Sequence, residues 1–237
     1  MKNSLLKKAL PHLIAVVLFL VVSVFFCKPV LDGNVLNQHD NVGWKGMAQN
    51  SFEYKEKTGH FPLWNPNLFS GMPNYQVAME GKSVMPDMIK LLTLGTPKPI
   101  NFFFLACLCF YILCLTLSVN PVIGMMGALA FAFSTYNPVI IAAGHDTQML
   151  ATALMPLLLA GIISIYEKKY WLGFALTTFA AYQQVGVNHL QVTYYFFLVA
   201  AILSIAYLVK WIIEKDWKHI GIAGGLTAVA ALIAIAG

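Results

Sequence analysis

The chain has 237 residues, of which 59% are hydrophobic and 11% charged, with a mean hydropathy of +0.70. Ordinary soluble domains carry roughly 25% charged residues, so this composition excludes a soluble globular domain and marks an integral membrane protein. The formal charge of +5 comes from 15 lysines, with no arginine, against 10 acids, and the lysines are scattered along loops rather than gathered in a stripe, which excludes nucleic-acid binding.

Lys2, Lys7 and Lys8 precede an apolar run from Leu13 to Cys27, the charge order of a signal peptide. Phe25 and Phe26 stand where a cleavage site would need small side chains, so the segment reads as an uncleaved first transmembrane helix, residues 1–27. Residues 28–99 then form a long extracytoplasmic loop. The segment 59–76, rich in Trp, Phe, Tyr, Pro and Gly, is too aromatic for a disordered linker. Trp64, Phe69 and Tyr75 suit a headgroup region, and residues 44–58 and 86–94 read as short surface helices, the second opening on Pro86.

Further apolar runs near the ~20 residues needed to cross a bilayer occupy 100–118, 122–141, 148–166, 170–187, 191–213 and 219–237. With the first helix they make about seven spans, the expected all-α polytopic fold. The last run reaches Gly237 without a polar cap, so 1–237 reads as the N-terminal part of a longer protein. Cys27, Cys107, Cys109 and Cys114 all lie in or beside apolar runs, where thiols behave as small hydrophobes, and imply neither disulfide nor zinc. Gly221 and Gly225 have a Gly-x-x-x-Gly spacing that reads as helix packing.

If the helices alternate, Lys2, Lys7, Lys8, Lys168, Lys169, Lys210, Lys215 and Lys218 share one side, which the positive-inside rule makes cytoplasmic. The opposite face then collects the polar stretches "LNQHDNVGWKGM" (36–47), "AAGHDTQM" (142–149) and "YQQVGVNHLQ" (182–191). Asp40, preceded by His39 and followed by Lys45, is the sharpest candidate for acid–base chemistry, whereas Asp32 in "LDGN" reads as a turn residue. Asp146 has a plain alternative role as the N-cap or first-turn acid of a helix, which leaves His145 unexplained. Gln183, Gln184, Asn188, His189 and Gln191 suit either a site or a polar seam between helices. Gly-x-Gly-x-x-Gly, P-loop, Gly-x-Ser-x-Gly and His-Glu-x-x-His patterns do not occur.

Four stretches, "PVLDGNVLNQHDNVGWKGM" (29–47), "PLWNPNLFSGMPNYQ" (62–76), "AAGHDTQMLATALMPLLLAG" (142–161) and "VNHLQVTYYF" (187–196), together resemble the YfhO-like bacterial membrane proteins, which belong with the GT-C glycosyltransferases. The resemblance implies a multi-pass enzyme of the bacterial cytoplasmic membrane, N-terminus inside, that takes a sugar from a polyprenyl-phosphate donor and passes it to an envelope glycan or lipid acceptor. It makes Asp40 the catalytic residue of the first outer loop and matches His145 and Asp146 to the polar residues of the second; their shared face adds His39, Asn188, His189 and Gln191, and the need for a cation at the phosphate adds Lys45, as candidate substrate-binding residues. No cofactor is firmly implied; a divalent metal ion held by Asp or His is one option for the phosphate, and lysine is another. The rival readings are a transporter or flippase, which would place ionisable groups near mid-bilayer, and a non-catalytic envelope scaffold.

Overall fold

The computed structural model describes residues 2–78 and 88–236. Helix α1 (Lys2–Phe26) leads through a single 3-10 turn, 28–30, to α2 (His39–Thr58); a two-stranded antiparallel ribbon follows, β1 (Trp64–Asn65) with β2 (Met72–Pro73). After the short α3 (Met88–Leu92) come α4 (Ile100–Thr116), α5 (Pro121–Ala132), α6 (Tyr136–Ala143), α7 (Asp146–Tyr166), α8 (Tyr170–Gly186), α9 (Leu190–Ile213) and α10 (Trp217–Ala236). The expected surface helix 44–58 begins earlier, at His39, so Asp40 lies in a helical first turn rather than in a loop. The expected start at Pro86 lies outside the described residues.

Among the described residues five helical segments are long and apolar enough to cross a membrane: Leu6–Phe26, Pro121–Ala143, Asp146–Tyr166, Leu190–Ile213 and Trp217–Ala236. Helices α4 and α8 occupy the other two expected runs but have 17 residues each, about 25 Å at 1.5 Å per residue, short of a ~30 Å hydrocarbon core. The chain is a helical membrane protein. Its exposed side chains agree: Leu13, Val17 and Val21 of α1 and Ile202, Ile205 and Val209 of α9 stand open, an apolar surface suited to lipid.

Helix α7 is the buried centre, packed between α4 and α8, with Met149, Leu154, Leu158 and Ile165 at most 1% exposed. Glycine allows the α7–α8 approach: a Cβ on Gly161 would lie 2.6 Å from the Thr177 amide, and one on Gly173 would overlap the Ile165 backbone. The packing expected of Gly221 and Gly225 is absent among the described residues, since a Cβ at either meets nothing within 4 Å. All four cysteines are free and buried.

The run read as one helix over 122–141 is broken between α5 and α6. Pro138 has no N–H to continue the ladder from the preceding turn, and Asn137 turns its amide nitrogen to the carbonyls of Phe131 (2.9 Å) and Ala132 (3.1 Å), satisfying the end of α5. At this break Phe133 stacks on Phe103 of α4, ring centres 4.8 Å apart, and Phe26 of α1 meets both edge-on.

Helix α1 runs antiparallel to α4: Phe26 meets Phe103 near one end, and His12 Nδ1 lies 2.9 Å from the Tyr111 hydroxyl nearer the other. That second end holds the 167–169 and 214–216 connections, joined by the Lys168–Asp216 ion pair at 2.6 Å. Nearby His219, 2% exposed, is fixed by the Tyr166 carbonyl at Nε2 (3.0 Å) and the Tyr170 hydroxyl at Nδ1 (2.7 Å). A carbonyl only accepts, so Nε2 carries a hydrogen. The first end holds the polar stretches singled out in the sequence.

Candidate functional site

Three chain reversals build the site. Helix α6 ends at Gly144 with φ +106, a backbone conformation that glycine adopts without strain, and its N–H reaches the carbonyls of Ile140 and Ile141. The chain then enters α7 through His145. The first turn of α2 rests on Gly144, and Gln38 anchors it by donating to the Ile141 carbonyl. Asp40 is thereby brought to His145 from 105 residues away: Asp40 Oδ2 and His145 Nε2 are 2.6 Å apart, the two side chains 55% and 45% exposed. A carboxylate in a first helical turn also lies at the favourable end of the helix dipole.

A second network lies beside this pair. Lys98, just before α4, forms an ion pair with Asp146 and donates to Gln38 Oε1 at 2.5 Å. Asn41 donates to Gln38 Oε1 at 2.5 Å and reaches Asp146 Oδ2 at 3.4 Å, while its own oxygen accepts from Trp44 Nε1 at 2.8 Å. Asp146 is the first-turn acid of α7, and its helix start has no side-chain cap bond. The expected alternative role therefore describes its position, and the ion pair with Lys98 adds a second.

On the third reversal, His189 Nδ1 lies 3.1 Å from Thr147 Oγ1. Burial, and secondarily the neighbouring His145, hold the His189 ring below the ordinary imidazole range. Asn188 donates to the Tyr75 carbonyl at 3.3 Å, fastening the aromatic loop to the α8–α9 connection. That loop is itself pinned to α2, because Asn74 donates to Ser51 Oγ and the Pro62 carbonyl, both at 2.8 Å, and Asn65 donates to the Met47 carbonyl at 3.1 Å.

Three clefts border these groups. One of about 320 Å³ has Asn41, Trp44, Gln76, Asp146 and Thr147 among its walls, amides and a carboxylate against an indole face. A second, of about 620 Å³, includes Leu36, Gln38, Asn41, Lys45 and Lys98. The third, about 240 Å³ and almost wholly apolar, is lined by Phe26, Val30, Leu36, Phe103, Pro138 and Ile141. Leu36 is common to the lysine-lined and the apolar cleft.

Of the residues singled out in the sequence, Asp40 and His145 bond directly, Asp146 and His189 flank them, Asn188 ties the loop above, and Lys45 lines the second cleft with its ammonium 6.0 Å from the Trp44 ring. His39 and Gln191 are exposed, and among the described residues no hydrogen bond joins either to the cluster. Gln184 is fully buried and donates to Thr193 Oγ1 at 3.1 Å, so it belongs to the α8–α9 seam. Asp32 sits in the turn ending at Gly33, φ +83, as expected.

Sequence reasoning missed Lys98, Gln38, Thr147, Gln148 and Tyr136. Lys98 had a readable signal, a cation immediately before an apolar helix, where the dipole disfavours it unless an acid is near. Among the described residues no three His, Cys, Asp or Glu side chains converge, and the facing atoms of Asp40 and His145 bond each other. No family model, curated protein or solved structure matches this chain.

Proposed function

We propose that the chain acts as a membrane glycosyltransferase that moves a sugar from a polyprenyl-phosphate donor to an extracytoplasmic envelope acceptor, with Asp40 as the base. The reading includes a seven-span GT-C-like arrangement in a bacterial cytoplasmic membrane, α4 and α8 also crossing and the N-terminus inside. One observation carries it: the Asp40–His145 pair lies at one end of the helices, in the same cluster of connections as a lysine-bearing cleft that shares Leu36 with an apolar one. An amphiphile with a phosphate head has both requirements met there.

In the reaction, the acceptor oxygen bonds to the anomeric carbon as the bond from that carbon to the phosphate oxygen breaks. The hydroxyl proton passes to Asp40, and the electron pair leaves with the polyprenyl phosphate. Lys45 and Lys98 supply positive charge for the departing phosphate in a chain without arginine. The Trp44 face and the amides of Asn41 and Gln76 suit a sugar ring, which presents C–H bonds on its faces and hydroxyls at its edge.

The test is transfer by the full-length protein in lipid with a panel of lipid-linked sugars. Asp40→Asn keeps the side chain's size but removes the base, and should lower transfer about 10²–10⁴-fold. Asp32→Asn should leave it near wild type. Full activity of Asp40→Asn would overturn the assignment.

A further inference from the structure

His145 stands between two partners, and their chemistry limits where its protons can be. Nε2 lies 2.6 Å from Asp40 Oδ2, and Nδ1 lies 2.7 Å from Oε1 of Gln148 in the first turn of α7. Gln148 is held at its other end, where its amide nitrogen donates to the hydroxyl of Tyr136, the residue that opens α6. A carboxamide has one accepting and one donating end. With its nitrogen committed to Tyr136, Gln148 turns oxygen toward His145, and oxygen only accepts. Nδ1 must therefore carry hydrogen. The Asp40 carboxylate on the other side also only accepts. A neutral imidazole has a single N–H, so it satisfies one of these acceptors; both are satisfied only when one further proton resides in the Asp40–His145 pair.

Turning the Gln148 amide over gives the opposite count. Its nitrogen would then donate to Nδ1, the Tyr136 hydroxyl would donate to its oxygen, and a neutral ring with hydrogen on Nε2 would satisfy Asp40. The two arrangements differ by one proton and one turn of an amide, and Tyr136 decides between them by accepting or donating.

We propose that Gln148 and Tyr136 are positioning residues that keep this extra proton on the Asp40–His145 pair. Resting on the reading of Asp40 as the base, the assignment gives the two carboxylate oxygens different tasks: Oδ2 stays with the N–H of His145, and Oδ1 receives the proton of the acceptor hydroxyl.

The experiment is nitrogen-15 NMR of ring-labelled histidine in the full chain in lipid nanodiscs at pH 7, with His145 assigned by its loss in His145→Gln and folding of each variant checked by thermal unfolding. In the wild type both ring nitrogens of His145 should carry hydrogen. Gln148→Glu keeps an acceptor at Nδ1 and should preserve that pattern. Gln148→Leu removes the acceptor, and Tyr136→Phe releases the amide to turn; each should lose the Nδ1–H signal while keeping Nε2–H. The deciding variant is Tyr136→Phe, which adds no charge and leaves Gln148 in place, so a loss of Nδ1–H there cannot come from a Gln148 side chain that only packs. A wild-type ring with hydrogen on Nε2 alone overturns the proposal, as does a pattern unchanged in Gln148→Leu and Tyr136→Phe. The ring signature requires no sugar donor, so its failure leaves the transferase reading standing, and full transfer by Asp40→Asn would leave the ring result intact.

Discussion

Gly144 and Asp40 are in contact distance of each other across two chain reversals: a Cβ on Gly144 would lie 3.3 Å from the Asp40 Cβ and 3.2 Å from the Asn41 amide nitrogen. The φ of +106 at Gly144 adds backbone strain for any other residue. Gly144→Ala should therefore destabilise the protein by about 1–3 kcal/mol, measured by reversible unfolding in detergent or bicelles. It should also push the start of α2 away, so that the His145 ring loses its Asp40 partner in the nitrogen-15 spectrum. An alanine variant as stable as wild type would show that α2 is not seated on Gly144.

The Lys98–Asp146 pair joins the start of α4 to the start of α7, with its side chains 32% and 27% exposed. Partial exposure limits the Coulomb term, but Gln38 and Asn41 share the same network, so removing one partner strands more than one bond. Lys98→Met, Asp146→Asn and the double variant should show a coupling of about 0.5–1 kcal/mol in a double-mutant cycle. Additive effects would mean that the two side chains do not meet in the folded protein.

How much of this was legible depends on what kind of signal each feature leaves. Long apolar runs announce themselves, and the positions of α1, α7, α9 and α10 follow the hydropathy closely. The α5–α6 break is hard to read because Ser134, Thr135 and Asn137 are a short polar interruption with apolar residues on both sides, and what permits the break is the Asn137 side chain answering two freed carbonyls. Asp40, His145 and Asp146 were visible as ionisable groups in polar stretches that flank apolar runs. Their pairing was not, since a contact across 105 residues is set by how Gly144 and Gln38 seat one helix start on another. Packing glycines illustrate the same point: the Gly221–Gly225 spacing matched a motif and meets nothing among the described residues, while Gly161 and Gly173, without a motif, bring α7 and α8 together.

His189 gives a pH dependence with a definite sign. Burial first, then the neighbouring His145, lower its proton affinity in the folded chain from the ordinary value of 6.5. The unfolded chain thus binds this proton more readily. Stability from this source is complete above that ordinary value, falls as pH drops below it, and levels off once the folded ring also protonates. Unfolding midpoints measured from about pH 7 to about pH 5 should decline more steeply in wild type than in His189→Gln. Equal slopes would remove His189 as a titrating group in folding.

The membrane orientation bears on the proposed function, because a lipid-linked sugar would reach Asp40 only if the α2 end of the bundle faces the leaflet that displays it. Lys168, Lys169, Lys215 and Lys218 lie on or beside short connections at the opposite end, where the positive-inside rule applies with full force, and the lysines of 28–98 lie in a long segment where it is weak. The four native cysteines are each at most 8% exposed, so a single introduced thiol can be read over a low background. Ser51 is a poor reporter, being 3% exposed and bonded to Asn74, whereas Glu56 and Lys169 are both exposed. A membrane-impermeant maleimide added to intact cells, with the outer membrane made permeable where there is one, should label Glu56→Cys and spare Lys169→Cys. Opening the cytoplasmic membrane should then expose both. Labelling of Lys169→Cys alone from outside would turn the Asp40 cluster toward the cytoplasm, and an extracytoplasmic sugar transfer by this site would then be ruled out.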